Sequence, residues 1–179
     1  MEAAFLAVPE ECVAEILDGE LHVQPRPRVR HARAASRLGA RLAGFDQSDL
    51  GGPSGWIILD EPELHLGPRP DKVVPDLAGW RRERMPELPD TAAIELAPDW
   101  VCEVLSDRTE RVDRTKKRRI YAREGVGHLW LVSPDQRMLE VFRLQSEHWV
   151  LLETFEGDSV VRAEPFDAIE LPLGSLWER

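Results

Sequence analysis

Two carboxylates stand inside stretches of sequence that otherwise resemble buried β-strands. Asp76 lies in VVPDLA, and Glu103 lies in WVCEVL. An ionised carboxylate is costly to remove from water unless a cation or several hydrogen-bond donors compensate it. Each acid taken alone could equally face solvent or pair with an arginine. Together, and next to a basic segment, they favour a shared divalent cation, because Mg²⁺ prefers hard oxygen ligands, usually one or two carboxylates completed by water.

The segment around Glu103 strengthens this interpretation. Residues 100–105 show almost no polar alternation, which predicts a strand that is covered on both faces. Because side chains alternate across a strand, Glu103 shares its face with Val101 and Leu105. An apolar face of this kind is an unusual place for a surface charge.

A basic helix is predicted after this strand, and two of its lysines are candidates for the same site. At about 100° per residue, Lys116 and Lys117 straddle the centre of the apolar side of the helix, so periodicity does not choose between them. Lys117 aligns with Asp113 and Tyr121, four residues before and after it. A lysine that points back at the sheet could hold an attacking water or a phosphate oxygen; the alternative is that it extends to solvent.

Glu15 is a further candidate acid. It follows Ala14 and precedes Ile16 in the first predicted hairpin. It could act as an additional ligand or as a base, or it could be a surface residue.

Positive charge is concentrated in two segments, although the whole chain carries a formal net charge of −10. Residues 26–41 contain six arginines and no acid, and residues 108–123 contain eight lysines or arginines and two acids. Local fields matter more than the total charge for attracting a phosphate backbone. These segments therefore either bind a polyanion or form two ordinary solvated helix faces.

Other chemistries find little support. The five histidines show no HExxH spacing, there is no GxSxG or Walker phosphate loop, and His31 is expected to be a packing residue. The two cysteines lie far apart, which fits a reducing cytoplasm and predicts neither a disulfide framework nor a zinc site. No apolar run approaches the roughly 20 residues of a membrane helix, and the N-terminus does not resemble a signal peptide. We expect a cytoplasmic protein.

The order of predicted elements is strands, helix, strands, helix, strands. This order indicates a single α/β or α+β domain over residues 1–179, built around a mixed sheet. Asp18-Gly19 predicts a hairpin turn, and Asp107 with Glu110 predicts a capping box. The main predicted elements are a helix at about 29–45, strands beginning at Trp56, at 72–78, at 100–105 and at His128, a helix ending before Gly125, and C-terminal strands in MLEVFRL, HWVLLETF and AIELPLGSLW.

Several of these segments, in this order, resemble a known family. VVPDLAGW, the long segment APDWVCEVLSDRTERVDRTKKRRIYAREGVGHLWLVSPD and the preceding AEILDGEL are similar to the Uma-two family of restriction-endonuclease-like proteins. That family belongs to the PD-(D/E)XK nuclease superfamily. The resemblance runs from about residue 8 to residue 173. It implies a restriction-endonuclease-like fold, with a central mixed β-sheet flanked by helices, an N-terminal hairpin and C-terminal strands.

The resemblance also implies roles for individual residues. Pro75-Asp76 matches the PD element and Glu103 matches the acidic position, so both side chains would bind Mg²⁺ or Mn²⁺ together with the backbone carbonyl of Val104. Many superfamily members carry a lysine two residues after the acid, but this chain has Leu105 there.

Related families carry the lysine on the next helix instead, where the spacing from Asp113 to Tyr121 points to Lys117. Glu15 matches an N-terminal acid of the family.

The implied activity is metal-dependent hydrolysis of DNA phosphodiester bonds by a homodimer. Basic side chains outside the metal site would bind the DNA backbone without reading its sequence. The candidates for that contact are Arg33, Arg37, Arg41, Arg114, Lys116 and Arg118. The alternative is a catalytically inactive nucleic-acid-binding or dimeric assembly module on the same fold.

Overall fold

The structure, a computed structural model, describes residues 1–9 and 11–178. Residues 10 and 179 of the predicted single domain lie outside the described residues. The strands are β1 Cys12–Leu17, β2 Glu20–Pro25, β3 Trp56–Asp60, β4 Leu64–Leu66, β5 Asp71–Val73, β6 Leu77–Arg81, β7 Trp100–Val104, β8 His128–Ser133, β9 Met138–Gln145, β10 His148–Glu156, β11 Val160–Val161 and β12 Leu171–Pro172. The helices are α1 Glu2–Leu6, α2 Val29–Asp46, α3 Glu110–Val112, α4 Arg118–Arg123 and α5 Gly174–Trp177, with a 3₁₀ turn at Ser48–Leu50 and a π-helical segment at Asp113–Lys117.

The larger sheet contains six strands in the order β10-β9-β8-β7-β6-β3. Strands β7 and β8 run parallel, and the other neighbours run antiparallel. The parallel pair requires a crossover connection, which the segment from α3 to α4 supplies. Every residue of β7 is buried. The predicted mixed sheet and the predicted doubly covered strand are thus both confirmed.

The smaller sheet, in the order β2-β1-β5-β4, begins with the predicted hairpin. Asp18 and Gly19 both have positive φ, 51° and 79°, as a two-residue primed turn requires. The single strand predicted at 72–78 is wrong, because β5 belongs to this sheet and β6 belongs to the larger one. Pro75 lies between them and has no backbone N–H to contribute to a continuous ladder. The break leaves Asp76 immediately before β6, where the two sheets meet.

Two further predictions near chain turns need correction. The capping box did not form: α3 begins at Glu110 with Thr109 as N-cap and no side-chain capping bond, and Ser106 Oγ instead lies 3.2 Å from Thr109 Oγ1. The last predicted strand is reduced to β12 and is followed by α5, where Ser175 Oγ donates to the Pro172 carbonyl at 2.8 Å. Gly125 has φ +76° and ends the helix as predicted.

An aromatic cluster packs helix α2 against one face of the larger sheet. Phe166 lies at its centre, with ring-centroid distances of 4.7 Å to Phe45, 4.8 Å to Trp56, 4.9 Å to Trp100 and 5.7 Å to Trp130. These rings come from α2, β3, β7 and β8, so one side chain contacts four elements. Within the described residues, no helix is both long and apolar enough to cross a membrane.

We expect Phe166→Ala to lower the free energy of unfolding by about 3–5 kcal/mol, because it leaves a cavity among four rings. Urea denaturation measures this change. Leu88→Ala is the control, since Leu88 is 56% exposed and its truncation should leave stability nearly unchanged. Equal effects of the two substitutions would show that the cluster does not hold α2 on the sheet.

Candidate metal and phosphate site

A cavity of about 530 Å³ opens where the two sheets approach each other. Its walls come from the β1–β2 hairpin, the start of α2, the link between β5 and β6, and the segment that follows β7. Among the residues that line the cavity are the titratable side chains of His31, Asp76, Glu103, Asp113 and Lys117. Asp76 and Glu103 therefore face the same cavity, although they are far apart in the sequence.

Asp76 is held by contacts to both of its carboxylate oxygens. His31 Nε2 lies 2.5 Å from Oδ1, and the Val104 N–H donates to Oδ2 at 2.6 Å. The Leu105 N–H donates to the Val132 carbonyl in β8, so the polar groups of Val104 point away from β8 and toward Asp76. The Val104 carbonyl, which the family resemblance proposed as a metal ligand, therefore lies on the same side of β7 as Asp76.

Lys117 is buried at the back of the cavity, only 2% exposed. Its Nζ lies 2.9 Å from a Glu103 carboxylate oxygen and 3.0 Å from Glu15 Oε1, and it donates to the Val74 carbonyl at 3.1 Å. The Val74 N–H in turn donates to Glu15 Oε1 at 2.8 Å. Glu15 does not line the cavity; it lies behind Lys117 and holds it.

The helix after β7 supplies two more groups to this cluster. Tyr121 Oη donates to Glu103 Oε1 at 2.6 Å, and Asp113 Oδ1 lies 3.8 Å from Lys117 Nζ. The three helical residues are spaced by four and point to one side. The sequence predicts that Asp113 and Tyr121 align with Lys117. The structure adds a direct hydrogen bond from Tyr121 to Glu103.

The structure distinguishes the two lysines that periodicity left open. Lys116 points to strand β2, where it contacts the carboxylate of Glu20 and lies 3.1 Å from His22 Nε2. Lys117 points inward. Both belong to the π-helical segment, which holds more residues per turn than an α-helix. The α-helical period of 100° per residue does not describe this segment, so it does not tell which of the two lysines points inward.

The cluster contains more acids than cations. Burial raises the pKa of Glu103 well above its usual value, and burial raises that of Asp113 to about 6. Burial alone would lower the pKa of Lys117, but the carboxylates of Glu103 and Glu15 raise it well above its usual value, so this lysine stays charged. The carboxyl groups of Glu103, Glu15 and Asp113 lie around Lys117, and Asp76 faces the same cavity, so the carboxyl groups outnumber the one ammonium.

The donor set fits a hard cation such as Mg²⁺. Asp76 and Glu103 offer carboxylate oxygens to the cavity, and the Val104 carbonyl lies on the same side. Within residues 1–9 and 11–178, no group of three or more His, Cys, Asp or Glu residues is arranged so that it could hold a metal ion. Mg²⁺ does not need such a group, because it usually keeps several waters and binds one or two carboxylates.

The arginines at the cavity mouth differ from the sequence predictions, whereas His31 agrees with them. His31 was expected to be a satisfied packing residue, and it is 9% exposed, lies on the buried face of α2 and has Asp76 as its partner. None of the six predicted DNA-binding residues is among those that line the cavity. Their contacts in the structure are Arg33 with the Glu178 carbonyl, Arg37 with Glu178, Arg114 with Glu110 and Glu140, Lys116 with Glu20, and Arg118 over the Phe142 ring, while Arg41 is exposed.

The arginines that do line the cavity are Arg26, Arg28, Arg30 and Arg108. The first three belong to RPRVR, residues 26–30, directly before and at the start of α2. This run of arginines before the helix was the available signal in the sequence. The predicted arginines Arg33, Arg37 and Arg41, which recur every four residues within the helix, do not line the cavity.

Comparison with known proteins supports the fold and the family. The model of the Uma2 family, described as "Putative restriction endonuclease", matches residues 3–174. The structure is similar to the crystal structure of a putative nuclease belonging to DUF820 from Anabaena variabilis ATCC 29413, with a TM-score of 0.74 and 24% sequence identity over 97% of this chain and 94% of that chain. At this identity the likeness shows a shared fold. No curated protein matches the chain.

We expect Lys117→Met to lower the free energy of unfolding by about 3–5 kcal/mol, because it leaves the buried Glu103 and Glu15 without their cation. Lys116→Met is the matched control, since its partner lies on the surface and such pairs contribute about 0–1 kcal/mol. Urea denaturation of both variants measures the difference. If the two substitutions cost the same, Lys117 does not compensate these acids.

Asp113→Asn should stabilise the metal-free protein at neutral pH. The pKa of Asp113 is raised from 3.8 to about 6 on folding, so the folded state binds more protons between these values, and stability is lost as the pH rises through about 6. Asparagine keeps the neutral form, and the expected gain near pH 7 is about 2–3 kcal/mol.

Thermal unfolding in EDTA at a series of pH values tests this expectation. The gain should shrink toward zero near pH 4, below about the unfolded pKa. Asp107→Asn, at an exposed position, should show no such trend. A gain that does not vary with pH would contradict the shifted titration of Asp113.

Proposed function

The chain belongs to the Uma2 family of putative restriction endonucleases, and from this membership we propose that it is a metal-dependent endonuclease that hydrolyses DNA phosphodiester bonds. The observation that carries the proposal is the convergence of Asp76, Glu103 and Lys117 on one cavity. Two carboxylates and a lysine around a recess are the groups that metal-assisted phosphodiester hydrolysis requires.

Asp76, Glu103 and the Val104 carbonyl would hold Mg²⁺ or Mn²⁺. Bound there, the ion would polarise a phosphoryl oxygen and lower the pKa of a bound water. His31 and the Val104 N–H fix both oxygens of Asp76, so this carboxylate is oriented before any ligand arrives. Partners of this kind typically change metal affinity 10–100-fold when they are removed, according to general experience with metal sites.

Lys117 is the proposed group that orients the attacking water or stabilises the negative charge of the transition state. Its Nζ is fixed by Glu103, Glu15 and the Val74 carbonyl, so its positive charge is held in place at the back of the cavity. Glu15 acts as a positioning residue, because it contacts Lys117 and does not line the cavity. Cleavage of both strands would need two such sites, which a homodimer would supply.

One observation favours the alternative of a catalytically inactive DNA-binding or assembly module. Lys117 and Tyr121 already occupy the carboxylate of Glu103, and burial raises the pKa of this acid. A Glu103 carboxyl whose two oxygens already accept from Lys117 and Tyr121 is a poor ligand. Metal binding and cleavage must therefore be measured separately.

We expect cleavage of plasmid DNA in Mg²⁺ or Mn²⁺, with a loss of at least about 100-fold in Asp76→Asn and Glu103→Gln. Asp99→Asn is the control: Asp99 accepts from the Arg81 N–H and pairs with Arg84, but it does not line the cavity. In parallel, Mn²⁺ should raise the melting temperature of the wild type and not of the first two variants, because a ligand of the folded state stabilises it.

The two measurements separate the outcomes. Stabilisation by Mn²⁺ without cleavage under varied conditions would favour the inactive module. Cleavage that both cavity variants retain would place the active site elsewhere. A wild type that shows neither stabilisation nor cleavage would remove the support for a metal-dependent nuclease.

A further inference from the structure

Two arginines at the mouth of the cavity differ from their neighbours in the pairing of their guanidinium groups. Arg28 and Arg108 both line the cavity and are exposed. Within the described part of the chain, neither guanidinium has a hydrogen-bond or ion-pair partner. By contrast, Arg30 Nη1 lies 2.5 Å from Asp135 Oδ1, and Arg26 Nη1 lies 3.4 Å from Glu61 Oε2. The four arginines of the mouth thus divide into a paired set and an unpaired set.

The positions of the unpaired arginines follow from the elements that form the site. Arg28 directly precedes α2, three residues before the His31 that contacts Asp76. Arg108 lies in the turn after β7, which carries Glu103, and before the helix that carries Lys117. One arginine is therefore tied to the segment that fixes Asp76, and the other to the segment that presents Glu103.

We propose that Arg28 and Arg108 bind the two DNA phosphates that flank the phosphate to be hydrolysed in the cavity. The inference rests on the proposed function for the identity of the polyanion. A guanidinium presents a planar set of donors that suits a phosphate, and an unpaired one need not give up a carboxylate first. These contacts reach only the backbone, so they position the strand without reading its sequence.

The three predicted DNA-binding arginines within α2, Arg33, Arg37 and Arg41, are not placed in the same way. Arg33 and Arg37 contact Glu178, and Arg41 is exposed but does not line the cavity. Arg41 therefore provides a control that matches Arg28 in side chain, exposure and parent segment, and differs in its distance along α2 from the site.

A carboxylate at the same mouth gives a test of opposite sign. Asp107 is exposed, lines the cavity and directly precedes Arg108. Its negative charge should repel a strand that Arg108 attracts. Removing the charge of Asp107 should therefore strengthen binding.

The experiment measures the affinity of a short labelled DNA duplex by fluorescence anisotropy in EDTA, over a range of salt concentrations. Arg28→Gln and Arg108→Gln should each weaken binding by about three- to tenfold at low salt. Each should also reduce the slope of log K against log salt by about 1. Arg41→Gln should change neither quantity, and Asp107→Asn should tighten binding.

The outcomes separate this inference from the proposed function. Equal losses in Arg28→Gln, Arg108→Gln and Arg41→Gln, or no loss in the first two, would overturn the assignment of the mouth arginines and leave the nuclease proposal intact. A wild type that does not bind DNA would overturn both. Because all four positions are exposed, thermal unfolding of each variant should match the wild type, which excludes misfolding as the cause of a loss.

Discussion

The buried ammonium of Lys117 is the interaction on which the rest of the site depends. Removing an ion from water costs several kcal/mol, and the protein recovers this only when the remaining donors and acceptors are well placed. Here four oxygens lie within 3.1 Å of one Nζ: both of Glu103, Oε1 of Glu15 and the Val74 carbonyl. Glu103 belongs to the larger sheet and Glu15 to the smaller one, so a single charge joins the two sheets at the cavity.

This constraint explains why the chain breaks its strand at Pro75. A strand continuous from β5 to β6 would keep both segments in one sheet, and the Val74 carbonyl would enter a ladder instead of accepting from Lys117. The break also frees Asp76 to accept from His31 and from the Val104 N–H. The PD element therefore has a structural role, since proline ends one sheet and the next residue starts the other with its carboxylate at the junction.

Much of this arrangement could be predicted from the sequence, because it depends on local patterns. The hairpin at Asp18-Gly19 and the buried strand of Glu103 follow from turn chemistry and side-chain alternation, and the structure confirms both. Glu103, between Cys102 and Val104, and Asp76, between Pro75 and Leu77, are informative together, because two acids in strand-like sequence favour a shared partner. The convergence of Asp76 and Glu103 was a hypothesis from two such signals, and the structure places them on one cavity.

The remaining features depend on tertiary contacts or on irregular backbone. The inward direction of Lys117 depends on a π-helical segment that the average helical period does not describe. His31 shows only an apolar periodicity in the sequence, and its partner Asp76 is fixed by the meeting of two distant segments. The availability of an arginine also depends on its pairing. Arg28 and Arg30 are near neighbours of the same type, but among the described residues only Arg30 pairs with a carboxylate, that of Asp135.

The pairing of arginines with carboxylates also bears on how a protein with a net negative charge could bind the proposed polyanionic ligand. A chain of net charge −10 repels DNA at long range, and its paired arginines add little to attraction because their charges are already compensated. What acts on a phosphate at short range is the charge left uncompensated at the mouth. Inside the cavity the balance differs, because the carboxyl groups of Asp76, Glu103 and Asp113 outnumber the ammonium of Lys117. A strand attracted by Arg28 and Arg108 would therefore stop at the rim until a cation balances the acids behind it, which separates the binding of DNA from its entry into the site.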